Sequence, residues 1–354
     1  MAKNTKQDTK QLLKKLTDIG AISSYEKRII PTIKEELKGH VDSMEIGNMG
    51  SLITKKGKGS PVYMICAHMD EIGFIVKHID DKGYIRFIPV GGFWDQDLIN
   101  QNVIIDTKNK KFKGAIHCKD HWIMDEEERK KVPKWQELFI DVGASSKEEV
   151  KKLGIKISDM ITIENNFREL IGNNVSAKSF DDRAGCVALI QIMKNLKKFK
   201  GTVYGIFTAQ EEVGLKGAKT AAYKVNPDYS ITLDVGTAHS PYVKEWEVTT
   251  KLGQGPCIEY MQVRGRGMIG DPKLNKFFIT VAKENKIPLQ LDAANAGQPG
   301  ATDAAIIQLI KEGIPSISIG IPCRYIHTNN EVINLNDMEN TIKLVVKAIE
   351  KGKA

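Results

Sequence analysis

The chain has 354 residues, 41% of them hydrophobic, which suffices to bury one large domain and a smaller one, and its formal net charge is +8. No run of ~18 or more apolar residues occurs, which excludes a membrane-spanning helix, and the opening Met1-Ala2-Lys3-Asn4-Thr5-Lys6 lacks the apolar stretch of a secretion signal. Cys66, Cys118, Cys186, Cys257 and Cys323 are widely spaced and read as free thiols of a reducing cytoplasm, not as a disulfide framework.

In chain order, Leu12, Leu13, Leu16 and Ile19 form the apolar stripe of an N-terminal helix. Val62 to Ala67 reads as a buried strand, and it ends at His68-Met69-Asp70. The pattern then changes. Strand-like runs at 73–79 and 84–90 flank Asp80-Asp81-Lys82-Gly83, a hairpin signal, and further runs follow at 101–106, 112–116, 139–142 and 160–163. We read 74–166 as a small all-β domain inserted into a larger one made of 1–73 and 167–354. Beyond it, Ser179-Phe180-Asp181-Asp182-Arg183 precedes Cys186, Leu189, Ile190, Met193 and Leu196 at helical spacing. Three more apolar strands are expected: 202–208 before Gln210-Glu211-Glu212, 229–233 before Asp234, and 317–321 before Tyr325-Ile326-His327. Met338, Ile342, Val345 and Ile349 mark a last helix, with Asn336 and Glu339 spaced for a capping box. Strands alternating with helices predict an α/β fold around an open sheet flanked by helices.

His68, Asp181, Glu212, Asp234 and His327 each follow or open one of these elements. In open α/β sheets the crevice beyond the carboxyl ends of the strands is the ligand site. Each residue has a plain reading taken alone: Asp181 and Asp182 as helix caps, Glu211-Glu212 as a solvated loop, Asp234 as a turn former, each His as a satisfied surface or core residue. Their joint pattern points elsewhere. Two imidazoles and three carboxylates suit Zn²⁺ or another borderline divalent ion, and one bridging carboxylate with two further ligands on each side would hold two ions.

The positive charge does not imply nucleic acid. The lysines are dispersed over helix-like faces such as Lys10, Lys14, Lys15 and Lys194, Lys197, Lys198, and no zinc finger, RNA-binding aromatic signature or helix-turn-helix stands out. His117, Cys118 and His121 cluster inside the insertion, away from the other candidates, and Gly265-Arg266-Gly267 lacks the strand–turn–helix context of a phosphate loop.

The segments Ala67-His68-Met69-Asp70-Glu71-Ile72-Gly73, Phe180-Asp181-Asp182-Arg183-Ala184-Gly185, Ala209-Gln210-Glu211-Glu212-Val213-Gly214, Leu233-Asp234-Val235 and Tyr325-Ile326-His327-Thr328, in this order, resemble the tetrahedral aminopeptidases. These are cytosolic dinuclear metallo-aminopeptidases, and the family also holds glutamyl aminopeptidases and proteins called endoglucanase M. The resemblance covers nearly the whole chain. It implies a zinc-exopeptidase-like mixed open sheet with a PDZ-like or barrel-like inserted domain used in self-assembly into twelve-subunit tetrahedra. It further implies two divalent ions, Zn²⁺ or else Co²⁺ or Mn²⁺, one on the residues matching His68, Asp181 and Asp234 and the other on those matching Asp181, Glu212 and His327. Asp181 would then be the bridge. Glu211 matches the general acid/base and Asp70 the residue that orients the first histidine. Both roles are also chemically sensible: a carboxylate beside a ligand can move a proton, and one near a ligating imidazole can orient it. Gly300-Ala301-Thr302-Asp303-Ala304 matches a substrate-pocket segment, but its Ala296-Gly297-Gln298-Pro299 lead-in and the stretch from Asp234 to His239 depart from the usual pattern.

The expected function is therefore metal-dependent removal of N-terminal residues from short peptides by a cytoplasmic homo-oligomer. The alternatives are an N-acyl deblocking peptidase on the same site, a glycosidase, and a non-catalytic metal-binding scaffold. A glycosidase needs two carboxyls flanking a sugar and has no use for His68 and His327.

Overall fold

The computed structural model describes residues 2–292 and 300–352, with side chains from residue 6 onward. An open mixed sheet spans most of it, in the order Ser43–Ile46, Leu52–Lys58, Gly201–Thr208, Val62–His68, Tyr229–Thr237, Ser316–Arg324, Glu331–Asn334, Asn174–Ala177 and Arg168–Glu169. The four central strands, Gly201–Thr208 through Ser316–Arg324, are mutually parallel. They are nearly continuous apolar runs because helices cover both their faces. Side chains alternate between the two cores: Tyr63, Ile65 and Ala67 join one, Met64 and Cys66 the other.

The larger core holds helix Phe180–Asn195, packed on the sheet and flanked by helices Ala2–Thr17 and Leu335–Lys351. Leu189 on that helix is fully buried, so truncating it to alanine would cost about 2–5 kcal/mol. Helices Lys216–Val225 and Ala304–Ile307 cover the other face through Ala218, Ala222 and Ile307. All four parallel strands point one way, so their carboxyl ends share one edge, with Thr208 in register with His68 and Asp234 with Gly320.

Strands Gly73–Ile79, Ile85–Val90, Phe139–Asp141, Lys111–His117, Asn102–Asp106 and Met160–Ile163 close, in that order, into an antiparallel barrel. It has its own core of Phe74, Phe87, Val103, Ile105, Ile116, Ile140 and Ile161. Its first hairpin turns where the sequence signal lies: Asp80 Oδ1 accepts from the backbone N–H groups of Lys82 and Tyr84, and Gly83 takes a positive φ of 90°. The Arg28–Asp106 ion pair ties the barrel to the segment before the sheet.

The structure differs from the sequence reading in a few places. The strands expected to end at Asp234 and Ile321 continue to Thr237 and Arg324, because they pair with each other as far as Thr237 and Cys323. The capping box expected at Asn336 and Glu339 does not form. Asn334 caps helix Leu335–Lys351 through the N–H of Asn336, while Glu339 accepts from the Thr9 hydroxyl. No helix among the described residues is long and apolar enough to cross a membrane. The lead-in Ala296 to Pro299 lies outside the described residues.

Candidate metal centre and active site

The parallel strands deliver the site residues to one crevice. His68 is the last residue of its strand, Glu211 and Glu212 sit on the turn after Thr208, Asp234 lies on the neighbouring strand, and His327 stands three residues past Arg324. Asp181 comes from the opposite direction, at the irregular start of helix Phe180–Asn195, where it and Asp182 have non-helical backbone angles. This turn separates the two aspartates. Asp182 does the capping: its carboxylate accepts from the N–H groups of Gly185 and His68. Asp181 is left facing the crevice.

The two oxygens of Asp181 face opposite ways. Oδ1 lies 2.8 Å from His68 Nε2, which is itself 3.9 Å from Asp234 Oδ1. Oδ2 lies 3.3 Å from His327 Nε2, which is 3.4 Å from Glu212 Oε1. Two groups of three donors result, His68 with Asp181 and Asp234, and Asp181 with Glu212 and His327, each with its donor atoms within 4.8 Å of one another. All five residues singled out as ligand candidates are thus brought together, with Asp181 common to both groups. His117 and His121 stand on the barrel and its adjoining loop, and neither belongs to these groups.

Three carboxylates brace the donors from behind. Asp70 accepts from the backbone N–H of Glu211 (3.0 Å), that of Glu212 (3.2 Å) and the Ser23 hydroxyl (2.6 Å). His68 Nδ1 lies 2.9 Å from the backbone carbonyl of Asp70 and 3.7 Å from its carboxylate. The imidazole is therefore held at Nδ1 by the Asp70 main chain, with Nε2 facing the crevice and Asp181. Asp182 links His68 to the helix, as described above. Glu331 accepts from the N–H groups of both Asp181 (3.1 Å) and His327 (2.9 Å). The sequence reading did not find Glu331. Its only signal was a charged residue at the head of a short strand close to His327.

The chain matches the M42 glutamyl aminopeptidase family over residues 50–344. It belongs to that family. The lysyl aminopeptidase of Pyrococcus furiosus is 32% identical over 345 residues, covering 97% of this chain and 97% of that protein. Among solved structures, the aminopeptidase APDkam598 of the archaeon Desulfurococcus kamchatkensis superposes with a TM-score of 0.94 at 40% identity, over 98% of this chain and 96% of that one. The TET1 peptidase of Pyrococcus horikoshii, which can assemble into a tetrahedron or a large octahedral shell, gives a TM-score of 0.86 at 34% identity, over 96% of this chain and 99% of that one. The structure places an aminopeptidase fold around the crevice.

The electrostatics of this M42 site favour bound cations. Burial pushes the Glu211 and Asp234 carboxyls well above their ordinary range; neighbouring carboxylates add to the push and His68 opposes it. Asp181 goes the other way. Burial opposes its ionisation, but the hydrogen bonds and charges of His327 and His68 hold it below the usual range. Burial works against a charged His327 too, and Asp181 and Glu212 outweigh it, pushing the imidazole up to about 12. More negative charge is gathered here than a buried site holds unaided. Glu212 Oε1 is buried and forms no well-aligned hydrogen bond, His327 Nε2 approaching it only to 3.4 Å, a costly arrangement that a cation would relieve. The donor set therefore fits divalent metal ions.

The crevice opens into a cavity of about 790 Å³ whose lining includes Glu211, Val235, Thr237, Glu259, Met261, Thr302 and Tyr325. Thr302 reaches it, whereas the neighbouring Asp303 turns inward and accepts from the Thr208 hydroxyl at 2.5 Å. His239 is not among the lining residues.

Proposed function

We propose that this aminopeptidase removes the N-terminal residue of short peptides at two divalent ions, held by His68, Asp181 and Asp234 on one side and by Asp181, Glu212 and His327 on the other. The observation that carries this reading is Asp181, whose two oxygens address two separate histidine-containing groups. When bound, two such ions supply Lewis acidity, lowering the pKa of a water and polarising the scissile carbonyl.

Glu211 is the residue that moves the proton. It belongs to neither donor group, adjoins Glu212 and lines the cavity. As water oxygen bonds to the carbonyl carbon, Glu211 takes the water's proton, then delivers it to the amine nitrogen as the C–N bond breaks. Asp70 is a positioning residue: it fixes the Glu211 and Glu212 backbone and, through its carbonyl, the His68 ring.

We also assign residues 1–73 and 167–354 to the catalytic unit and 74–166, the barrel region, to assembly. The supporting likeness is to relatives solved as dodecamers and as tetrahedral or octahedral shells. Light scattering on the purified chain should give about twelve subunits; a monomer would refute this assignment.

The test of activity is hydrolysis of free and N-acetylated short peptides, with chelation and metal add-back using Zn²⁺, Co²⁺ and Mn²⁺. Metal-dependent cleavage of the free peptides alone is expected, and faster cleavage of the acetylated ones would mean a deblocking enzyme. Glu211→Gln should lower kcat by about 10²–10⁴-fold with metal content unchanged. If Glu211→Gln turns over normally, the proton is carried elsewhere.

A further inference from the structure

The cavity beside the donor set carries a second acidic feature that neither the ligand set nor the proton transfer uses. Glu259 lies on the short strand Cys257–Glu259, antiparallel to Ser316–Arg324 with Glu259 opposite Ser318. Its Oε2 accepts from the Gln262 side chain at 2.7 Å and from the Ser318 hydroxyl at 2.9 Å, so the carboxylate is fixed in orientation.

Two glycines make room for it. A Cβ on Gly236 would stand 3.2 Å from Glu259 Oε1, and one on Gly320 would stand 3.3 Å from the same atom. Gly236 is two residues beyond Asp234 on one strand, hence on the same face of the sheet and about 7 Å further along. Gly320 is in register with Asp234. Where larger residues would continue the sheet surface, the Glu259 carboxylate occupies the space next to the donor Asp234.

Among the described residues no lysine, arginine or histidine forms an ion pair with Glu259, and no lysine or arginine lines the cavity. Asp292 lines the same wall. A carboxylate held rigid by Gln262 and Ser318, with no cationic side chain paired to it among the described residues, is completed by a cation that arrives with the substrate.

Resting on the aminopeptidase reading above, we propose that Glu259 makes this cavity selective for peptides whose N-terminal side chain is basic, lysine or arginine. With the scissile bond at the donor set, a flexible four-carbon stem carries its ammonium across the step from Asp234 to Glu259. A neutral side chain of similar length would leave the carboxylate without a partner, the situation in which polar sites discriminate strongly.

The test is kcat/KM for the metal-loaded enzyme on a dipeptide series X-Ala, with X lysine, arginine, norleucine, leucine and glutamate, together with inhibition by free lysine and free norleucine. Lysine and arginine substrates are expected to exceed norleucine at least tenfold, and free lysine to inhibit more tightly than norleucine. In Glu259→Gln the lysine-to-norleucine ratio should fall at least tenfold, and in Glu259→Lys glutamate should overtake lysine. Wild-type preference for leucine or glutamate overturns the proposal and leaves the aminopeptidase reading standing. An equal loss on all substrates in Glu259→Gln also overturns it, since Glu259 would then serve the α-amine or the fold. The inhibition experiment needs no variant, and tighter binding of norleucine counts against the proposal whatever the variants do. Absence of N-terminal hydrolysis across the whole series refutes the aminopeptidase reading itself and this inference with it.

Discussion

The two halves of the donor set are built to different specifications. His68 and Asp234 stand on adjacent parallel strands, and their side chains are 2% and 9% exposed. His327 lies on a loop with a left-handed backbone (φ 66°) and is 35% exposed. The first half inherits its geometry from sheet hydrogen bonds. The second depends on two outside supports. One is Glu331, which holds the backbone of both Asp181 and His327. The other is the Gly91-Gly92 turn that leaves the barrel strand Ile85–Val90. There a Cβ on Gly92 would lie 3.5 Å from His327 Nδ1, and one on Gly91 would lie 3.4 Å from Glu212 Oε2 and 2.5 Å from Ile72 Cγ2. This turn at the end of a barrel strand thus packs against the more exposed half of the site. The sheet provides a rigid half, and a loop and the barrel complete a tunable one.

The most severe way to break this comparison is to remove what the halves share. Asp181→Ala should empty both, with activity below detection and metal content by mass spectrometry falling from two ions per chain towards none. Retention of one full ion would mean that one half stands alone without the bridge. A gentler version leaves the sequence intact. Graded chelation should strip the His327 half first, seen as loss of one anomalous difference peak in crystals before the other; loss of the His68 peak first would reverse the assignment of rigidity.

Glu331→Gln sharpens the contrast at lower amplitude. An amide can accept through one oxygen only, so one of the two N–H groups from Asp181 and His327 loses its acceptor and meets an NH₂ donor. Loss of such a supporting partner typically costs 10–100-fold in metal affinity, and the whole deficit is expected in the half holding His327. Calorimetric titration of the metal-free protein should show two binding phases, with only the weaker one displaced. An equal shift in both phases, or a lower melting temperature with both phases intact, would make Glu331 a merely structural residue.

How much of this could be read from the chain follows from the same contrast. His68, Glu212 and Asp234 were legible because each ends or closely follows a continuous apolar run, and such a run survives into the fold as a buried central strand. His327 was reached as a residue shortly after such a strand and through the resemblance to a known family. Asp181 and Asp182 are indistinguishable by spacing, since both precede the same helix. Only the irregular backbone between them turns one to the crevice and the other back as a cap. Glu331 and Glu259 were missed because strands of three or four residues carry too little periodicity to be seen. The inserted β region was legible from its hairpins, but its closure was not: the strand Phe139–Asp141 sits between Ile85–Val90 and Lys111–His117 in the barrel, an order that local pattern does not encode. Asp70 was expected to orient His68 by its side chain. The structure assigns that contact to its carbonyl and turns the carboxylate to the Glu211-Glu212 backbone, a choice between two acceptors of one residue that no sequence pattern contains.

The smallest effect should come from Ser23→Ala. The Ser23 hydroxyl donates to Asp70 Oδ2 at 2.6 Å in a buried setting, and a hydrogen bond to a charged acceptor contributes about 1.5–3 kcal/mol. Its loss leaves Asp70 with the N–H groups of Glu211 and Glu212 and leaves the His68 ring on the Asp70 carbonyl, because neither contact passes through Ser23. The deficit should therefore appear in global stability, as a lower denaturation midpoint, with metal affinity reduced less than tenfold and kcat nearly unchanged. That outcome separates the halves: the sheet-built side loses a supporting bond without losing its geometry, whereas the loop-built side loses affinity when Glu331 is altered. If Ser23→Ala instead weakens metal binding as much as Glu331→Gln does, the His68 half also depends on outside support, and its low exposure reflects burial without rigidity.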